Sequence, residues 1–285
     1  MKIIDTHVHV WDLEKADYPW LTNDDSILNR TWRIEEIENE RIEAGITAGV
    51  LVQASGNLED TDLMLDTARR TDWINGVVAW LPLMDPKATQ ALLEERFLQE
   101  KYFKGVRHQI HDEKDPNWLL QPEVIESLKI LSSYQVPYDV VGIRPEHIET
   151  VLKVARQVPG LRMVFDHLNW PPIPTKEKFG RWGELMKKAA QHKNLHAKIS
   201  GLGTSSGNFQ NRTADDIKPY VQFVLQHFGT DRCFCGGDWP ISMLAGNYVQ
   251  TWQITKDMLS SLLDDTEKTK VLFFNANEFY NLGLS

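Results

Sequence analysis

Length, composition and charge narrow the class of protein before any motif is considered. With 285 residues, the chain has the size of one α/β barrel, a fold that commonly runs to about 250 residues or more as one domain. Its content of 42% hydrophobic and 25% charged residues is ordinary for a globular protein, and no apolar run approaches the roughly 18 residues that span a bilayer. A formal net charge of −9, without a run of Lys and Arg, disfavours nucleic acid as a partner.

The start of the chain and its two cysteines indicate a compartment. Met1 and Lys2 lead directly into an alternating strand, and not into the basic and apolar regions of a signal peptide, so we expect a cytoplasmic protein. Cys233 and Cys235 are separated by one residue, which is a poor spacing for a disulfide in an extended segment. We therefore predict two reduced thiols.

Short apolar segments rich in β-forming residues alternate with segments of helical periodicity along the chain. This alternation is typical of repeated βα units around a parallel sheet. The predicted strands are Ile3–His9, Gly49–Ala54, Gly76–Leu81, Lys104–His108, Tyr138–Val141, Met163–His167, His196–Gly201 and Arg232–Asp238. Eight strands close a barrel of this kind, and no linker interrupts the pattern. We predict a single (β/α)8 TIM barrel over residues 1–285.

Each predicted strand is followed by a segment with the spacing of a helix. The predicted helices are Ile34–Ala44, Leu58–Arg70, Ala88–Gln99, Pro122–Tyr134, Pro145–Gln157, Phe179–Gln191, Ala214–Phe228 and Tyr248–Leu263. Lys268–Leu282 is predicted as one more helix, anchored by aromatic residues. The longest loops, Trp11–Arg30 after the first strand and Asn169–Lys178 after the sixth, are expected to wall a pocket.

Polar residues at the carboxyl ends of three predicted strands are the candidate catalytic groups, because barrel active sites lie at those ends. On the first strand, alternation puts His7 and His9 on the same face, about 7 Å apart. The sixth strand ends in His167 and the eighth in Asp238. The alternative for His7 and His9 is that both are core histidines with hydrogen-bonded rings.

Two chemical interpretations of this set stay open. Three imidazoles and a carboxylate are suitable ligands for one zinc-type ion. Without metal, His7, His9 and His167 can donate hydrogen bonds to a carbonyl while Asp238 takes a proton from water. If Asp238 faces inward, Cys233 and Cys235 point outward, so we predict that they pack against the helices and bind no metal.

Several segments, in this order along nearly the whole chain, resemble the amidohydrolase superfamily. They are Asp5-Thr6-His7-Val8-His9 with Trp11-Asp12, Gly105-Val106-Arg107-His108, Phe165-Asp166-His167, Lys198-Ile199-Ser200-Gly201-Leu202, Gly236-Gly237-Asp238-Trp239-Pro240 and Asn275-Ala276-Asn277-Glu278-Phe279-Tyr280. The resemblance is to the "amidohydrolase 2" branch, which holds L-fuconolactonase, L-rhamnonolactonase and 2-pyrone-4,6-dicarboxylate lactonase. It implies a barrel hydrolase that opens a cyclic ester with water, with His7, His9, His167 and Asp238 in the central roles.

The sequence also departs from the family pattern. The fifth strand lacks the lysine that binuclear relatives carbamylate, and the seventh offers Lys198 where metal-rich relatives have histidine. We therefore expect at most one ion, Zn²⁺ or another divalent cation, held by three histidines and Asp238, and members of this branch occur both with and without a required metal. Gly237 stands where serine is usual and Asn169-Trp170 replaces a small or basic pair; we expect both differences to affect substrate choice.

Six further residues are candidate substrate contacts. Arg107 and His108 end the fourth strand, where only one of them can face inward, and a guanidinium there can hold substrate or pair with a barrel carboxylate. Lys198 shares a face with Ser200, and a buried lysine needs a partner. Trp11, Trp170 and Trp239 lie on the pocket-forming loops and suit stacking on a sugar ring. Four further histidines are predicted on the solvent side: His111, His147, His192 and His227.

From these observations we predict a lactonase that acts on a sugar-acid lactone. Its partner is a small-molecule substrate, with no nucleic acid and no membrane involved, and a homodimer is compatible with the sequence. The first alternative is a metal-dependent decarboxylase of an aromatic or unsaturated acid on the same barrel. The second is a binding protein without activity, against which the retained catalytic positions argue.

Overall fold

The computed structural model describes residues 1–175, 178–206 and 213–285. Within these ranges, eight parallel strands form one sheet whose spatial order follows the sequence. The strands are β1 Ile4–Val8, β2 Ala48–Val52, β3 Ile74–Ala79, β4 Phe103–His108, β5 Tyr138–Val140, β6 Met163–Phe165, β7 Leu195–Ile199 and β8 Cys233–Cys235. The sheet closes where Val8 bridges Trp239 and the His9 N–H donates to the Trp239 carbonyl at 2.7 Å. The predicted (β/α)8 barrel and its eight strands are confirmed.

Helices connect the strands. They are α1 Glu38–Ala44, α2 Leu58–Arg70, α3 Pro86–Glu95, α4 Pro122–Ser133, α5 Pro145–Gln157, α6 Gly180–Ala190, α7 Leu202–Ser205, α8 Ala214–Phe228, α9 Tyr248–Leu262, α10 Asp265–Thr269 and α11 Asn275–Phe279. The bounds of α2, α5 and α8 are those predicted from the sequence. The predicted closing helix differs, because a π-helical segment, Lys270–Phe274, separates α10 from α11.

Two hydrophobic clusters lie on the two sides of the sheet. The smaller cluster joins strand residues such as Ile4, Val50 and Phe234 to Phe279 and Tyr280 at the C-terminus. The larger cluster includes the outward side chains of the strands and the buried faces of the helices. Burial of each large apolar side chain contributes roughly 1.5–3 kcal/mol. Because Phe279 and Tyr280 belong to the smaller cluster, the C-terminal segment packs against the inward-facing side chains of the strands.

The cysteines follow the predicted parity. Phe234 belongs to the smaller, inward cluster, whereas Cys233 and Cys235 belong to the larger cluster on the other side of the sheet. Both thiols are buried and unpaired, as predicted. Across the ranges described, no helix is both long and apolar enough to cross a membrane. Residues 176 and 177 of the predicted loop Asn169–Lys178 lie outside the described residues.

Candidate active site

The structure brings the four predicted catalytic side chains together at or just beyond the ends of β1, β6 and β8. The Nε2 atoms of His7, His9 and His167 lie 3.7, 3.6 and 3.9 Å from one oxygen, Oδ1 of Asp238. All four residues are buried, with His167 the most exposed at 7%. Three imidazoles therefore converge on a single carboxylate oxygen.

Local backbone geometry produces this convergence. A Cβ at Gly236 would lie 2.6 Å from the His7 Cβ, so only glycine lets β8 approach β1 this closely. Asp238 and His167 both adopt left-handed backbone conformations, with φ of 58° and 53°. Such conformations are unfavourable for residues with a Cβ and are concentrated at functional sites. The chain thus turns sharply at the two strand ends where the carboxylate and the third imidazole are presented.

Each imidazole is oriented by a second partner at its other nitrogen. His9 Nδ1 lies 2.7 Å from the Val52 carbonyl, so this nitrogen donates its proton and leaves Nε2 with a lone pair. His167 Nδ1 lies 2.9 Å from Ser200 Oγ. His7 Nδ1 lies 3.3 Å from Lys198 Nζ and 3.5 Å from an Asp166 oxygen. Rings fixed in this way keep their Nε2 atoms directed at the carboxylate.

Burial sets the protonation states of the site. Desolvation lowers the pKa of His7 and His167, and it lowers the pKa of His9 to about 3. The three imidazoles are therefore neutral at physiological pH. Burial also raises the pKa of Asp238 to about 6, against the opposing effects of His167 and Arg107. Above this pH the Asp238 carboxylate is ionised, yet it is more basic than an exposed aspartate.

The donor set fits one divalent ion. His7, His167 and Asp238 each offer an atom within 4.8 Å of the others, and imidazole nitrogen and carboxylate oxygen are ligands that zinc accepts. The His9 Nε2 lone pair faces the Asp238 oxygen at 3.6 Å, an arrangement that is favourable when a cation or a proton lies between them. β5 contains no lysine, and its Asp139 is paired with Lys198. These contacts support a single ion, as the sequence predicts.

Arg107 fulfils one of the two roles that the sequence left open, the pairing with a barrel carboxylate. Its Nη1 lies 3.1 Å from Asp166 Oδ2 and 3.2 Å from His7 Nε2, and its Nε donates to Gln53 Oε1 at 3.1 Å. It pairs with a barrel carboxylate and also lines the cavity above the site. Gln53 was only a minor candidate from its place at the end of the second predicted strand, and Asp166 was assigned no role although it stands at the end of the sixth.

Three predicted substrate contacts lie away from the cavity wall. His108 points to the other side of β4 from Arg107, stacks on Trp118 with ring centroids 3.9 Å apart and contacts Glu113 at 2.8 Å. Lys198 is fully buried, and its ammonium contacts the carboxylates of two aspartates. Trp239 is 1% exposed and packs edge-on against Trp32. Strand alternation and tight packing therefore place these three side chains outside the described lining of the cavity over the catalytic cluster.

A cavity of about 360 Å³ opens over the catalytic cluster. Its described lining residues include His9, Arg107, His167 and Asp238, and the remaining members are Trp11, Trp20, Ala54, Gln109, His111, Val141, Ile143, Trp170, Thr204, Ile241 and Leu244. Trp11 and Trp170 are therefore placed as predicted. Trp20 was missed, although it lies in the loop that was expected to wall a pocket.

The predicted solvent-side positions of two histidines are wrong. His111 lines the cavity, and His147 is fully buried, where its Nδ1 accepts from the Ile143 N–H at 3.0 Å. Gly237 is also misinterpreted, because its N–H donates to Asp5 at 2.8 Å and a Cβ there would meet Tyr248 at 2.6 Å. The glycine therefore serves packing behind β1, and it is absent from the described cavity lining.

Comparison with known proteins places the chain in a family. The Amidohydrolase family model matches residues 4–282. L-fucono-1,5-lactonase from Burkholderia ambifaria is 30% identical over 283 residues, which cover 98% of this chain and 95% of that protein. A crystal structure of an amidohydrolase from Burkholderia multivorans with bound zinc superposes with a TM-score of 0.90 at 24% identity, covering 99% of both chains. The structure of 2,6-dihydroxybenzoate decarboxylase from Rhizobium, at 16% identity, covers 100% of both chains with a TM-score of 0.65. The chain therefore belongs to the amidohydrolase family.

Proposed function

We propose that the protein is a hydrolase that opens a sugar-acid lactone, with Asp238 as the general base. The observation that carries the proposal is the convergence of three imidazole Nε2 atoms on one Asp238 oxygen at the floor of a cavity. The similarity to an L-fucono-1,5-lactonase over nearly the full length of both chains supports the substrate class. A role in carbohydrate metabolism follows from that substrate.

The reaction uses the residues in separate roles. The lactone carbonyl lies at the imidazole cluster, where His7 and His167, with their protons on Nε2, donate hydrogen bonds that stabilise the negative charge developing on its oxygen. His9, whose Nε2 carries a lone pair, serves instead as a ligand for the divalent ion. Asp238 accepts a proton from water as the water attacks the carbonyl carbon. The tetrahedral intermediate then breaks its ring C–O bond, and Asp238 returns the proton to the leaving alkoxide. When a divalent ion is bound by the three histidines and Asp238, the chemistry it supplies is Lewis-acid polarisation of the carbonyl.

The charge of the cavity favours a neutral lactone over a carboxylated substrate. Among the described lining residues, Arg107 is the one Lys or Arg, and its guanidinium is already engaged by Asp166 and Gln53. The described side chains of the lining offer no unpaired cation of their own to a substrate carboxylate beside Asp238, so an aromatic acid would depend on the bound ion alone for charge compensation. The likeness to a decarboxylase structure concerns the fold alone. The decarboxylase alternative therefore has less support than lactone hydrolysis.

A substrate panel tests the proposal. Aldono-1,5-lactones, beginning with L-fucono-1,5-lactone, are incubated with the protein and a pH indicator, with and without prior treatment with a chelator. In parallel, 2,6-dihydroxybenzoate is assayed for release of carbon dioxide. We expect acid release from at least one neutral lactone and no decarboxylation. Decarboxylation without lactone hydrolysis would overturn the proposal.

A further inference from the structure

A fully buried group of charges lies directly beneath His7. Lys198 Nζ is 2.6 Å from Asp139 Oδ2 and 2.8 Å from Asp166 Oδ1. All three side chains are completely inaccessible to solvent. Charges are expensive to bury unless they are paired. Lys198 is compensated by two carboxylates, and Arg107 contributes a further positive charge to Asp166 at 3.1 Å.

The upper end of this group contacts the inner edge of His7. Lys198 Nζ lies 3.3 Å from His7 Nδ1 and 3.3 Å from the Thr6 carbonyl. Asp166 Oδ1 lies 3.5 Å from the same ring nitrogen. The other ring nitrogen, Nε2, faces the Asp238 carboxylate at 3.7 Å. Arg107 Nη1 also lies 3.2 Å from Nε2. The orientation of the ring is therefore set by charged groups on both of its edges.

The lower end of the group contacts the C-terminal segment. The Tyr280 hydroxyl donates to Asp139 Oδ2 at 2.6 Å, and Lys198 Nζ lies 5.6 Å from the centre of the Tyr280 ring. Tyr280 follows directly after α11, is 1% exposed and packs against Phe234 and Phe279. A continuous series of contacts thus joins this last segment of the chain to a catalytic imidazole.

We infer that Tyr280, Asp139 and Lys198 are positioning residues that hold His7 in its catalytic orientation. None of the three belongs to the described cavity lining. His7 is also fully buried, but its Nε2 lies 3.7 Å from Asp238, which does line the cavity, so the three residues act through His7 and not on the substrate. The inference rests on the proposed function, in which His7 stabilises charge on the lactone carbonyl oxygen. It gives the C-terminal segment a part in the reaction in addition to its packing.

The test removes one oxygen atom at the far end of the series. Tyr280→Phe keeps the ring and its packing but deletes the hydroxyl that fixes Asp139. A matched control is Ser127→Ala, which deletes another buried hydroxyl, one that donates to the Leu83 carbonyl at 2.7 Å from α4. Because a displacement of about 1 Å can reduce a rate about 10²-fold, we expect Tyr280→Phe to lower kcat roughly tenfold with little change in KM. Ser127→Ala should keep the wild-type kcat.

A second readout does not depend on activity. The imidazole ¹⁵N signals of His7, assigned by their loss in His7→Asn, should shift in Tyr280→Phe and stay unchanged in Ser127→Ala. Wild-type kcat together with unshifted His7 signals in Tyr280→Phe would overturn the inference. If Tyr280→Phe does not fold, Asp139→Asn is judged by the same criteria. Absence of lactone hydrolysis by the wild-type protein would refute the proposed function, and the ring signals would still decide the inference.

Discussion

Substitution of Gly201 by alanine tests how tightly the catalytic cluster is packed. Gly201 has a left-handed backbone, with φ of 58°, and a Cβ on it would lie 2.4 Å from His167 Nδ1 and 2.8 Å from Asp238 Oδ2. Real Cβ contacts essentially never fall below 3.0 Å, so the imidazole must move by roughly 0.6 Å to admit the methyl group. Such a movement separates His167 from the position that the chemistry requires.

The expected magnitudes follow from these distances. The left-handed conformation costs an alanine roughly 1–2 kcal/mol, and overpacking adds roughly 1–3 kcal/mol. Misplacement by a large fraction of an ångström is expected to reduce kcat roughly 10- to 100-fold. Gly45→Ala is the matched control, because Gly45 has φ of 79° and no heavy atom within 4 Å of its Cβ position. Gly45→Ala should lose only the roughly 1–2 kcal/mol that a left-handed alanine costs, and it should keep the wild-type kcat.

The assay is lactone hydrolysis at saturating substrate, with urea unfolding of the same preparations. We expect Gly201→Ala to lose both stability and kcat, and Gly45→Ala to lose stability only. A Gly201→Ala protein with wild-type kcat would refute the argument that the His167 and Asp238 positions are critical. An equal loss of kcat in Gly45→Ala would show that the effect arises from stability and not from the site.

Three further predictions concern other parts of the molecule. Burial raises the pKa of the Asp60 carboxyl to about 6. Proton binding to this carboxyl therefore stabilises the folded protein to its full extent below about pH 4, and this stabilisation is lost as the pH rises through 6. In urea unfolding, the stability of the wild type relative to Asp60→Asn should fall by roughly 2–3 kcal/mol between pH 4 and pH 8; a constant difference would contradict this. A thiol reagent should modify neither Cys233 nor Cys235 in the folded protein and both after unfolding, because burial raises the pKa of both thiols. Trp170→Ala should raise KM roughly 3- to 10-fold with kcat unchanged, because the indole lines the cavity, whereas the contact of Trp170 with the catalytic cluster is a backbone hydrogen bond to the His167 carbonyl at 3.0 Å, which alanine keeps; an unchanged KM would remove it from the binding site.

Hydrophobic periodicity predicted the barrel and the positions of most helices, because both depend on local patterns. Strand parity correctly separated Phe234 from the cysteines. The same reasoning, applied to α5, would have found that His147 shares the buried stripe of Val151, Val154 and Val158. The error arose because a polar residue was assigned to solvent without regard to its helical spacing.

Other features depend on the path of the chain in space and leave no periodic signal. His111 lines the cavity from the loop that follows β4. The partners of Lys198 come from β5 and from the residue after β6, and the tyrosine that fixes Asp139 comes from the end of the chain. The sequence indicated that Lys198 needs a partner, but not which carboxylates supply it.

Asp238→Asn tests the central claim most directly. Asparagine keeps the shape of the side chain and one carbonyl oxygen near the three imidazoles, but it cannot accept a proton from water. Loss of a positioned base lowers the rate about 10²–10⁴-fold. We predict that kcat for lactone hydrolysis falls by that factor while calorimetric titration still detects substrate binding to the folded protein. A wild-type kcat in Asp238→Asn would contradict the mechanism.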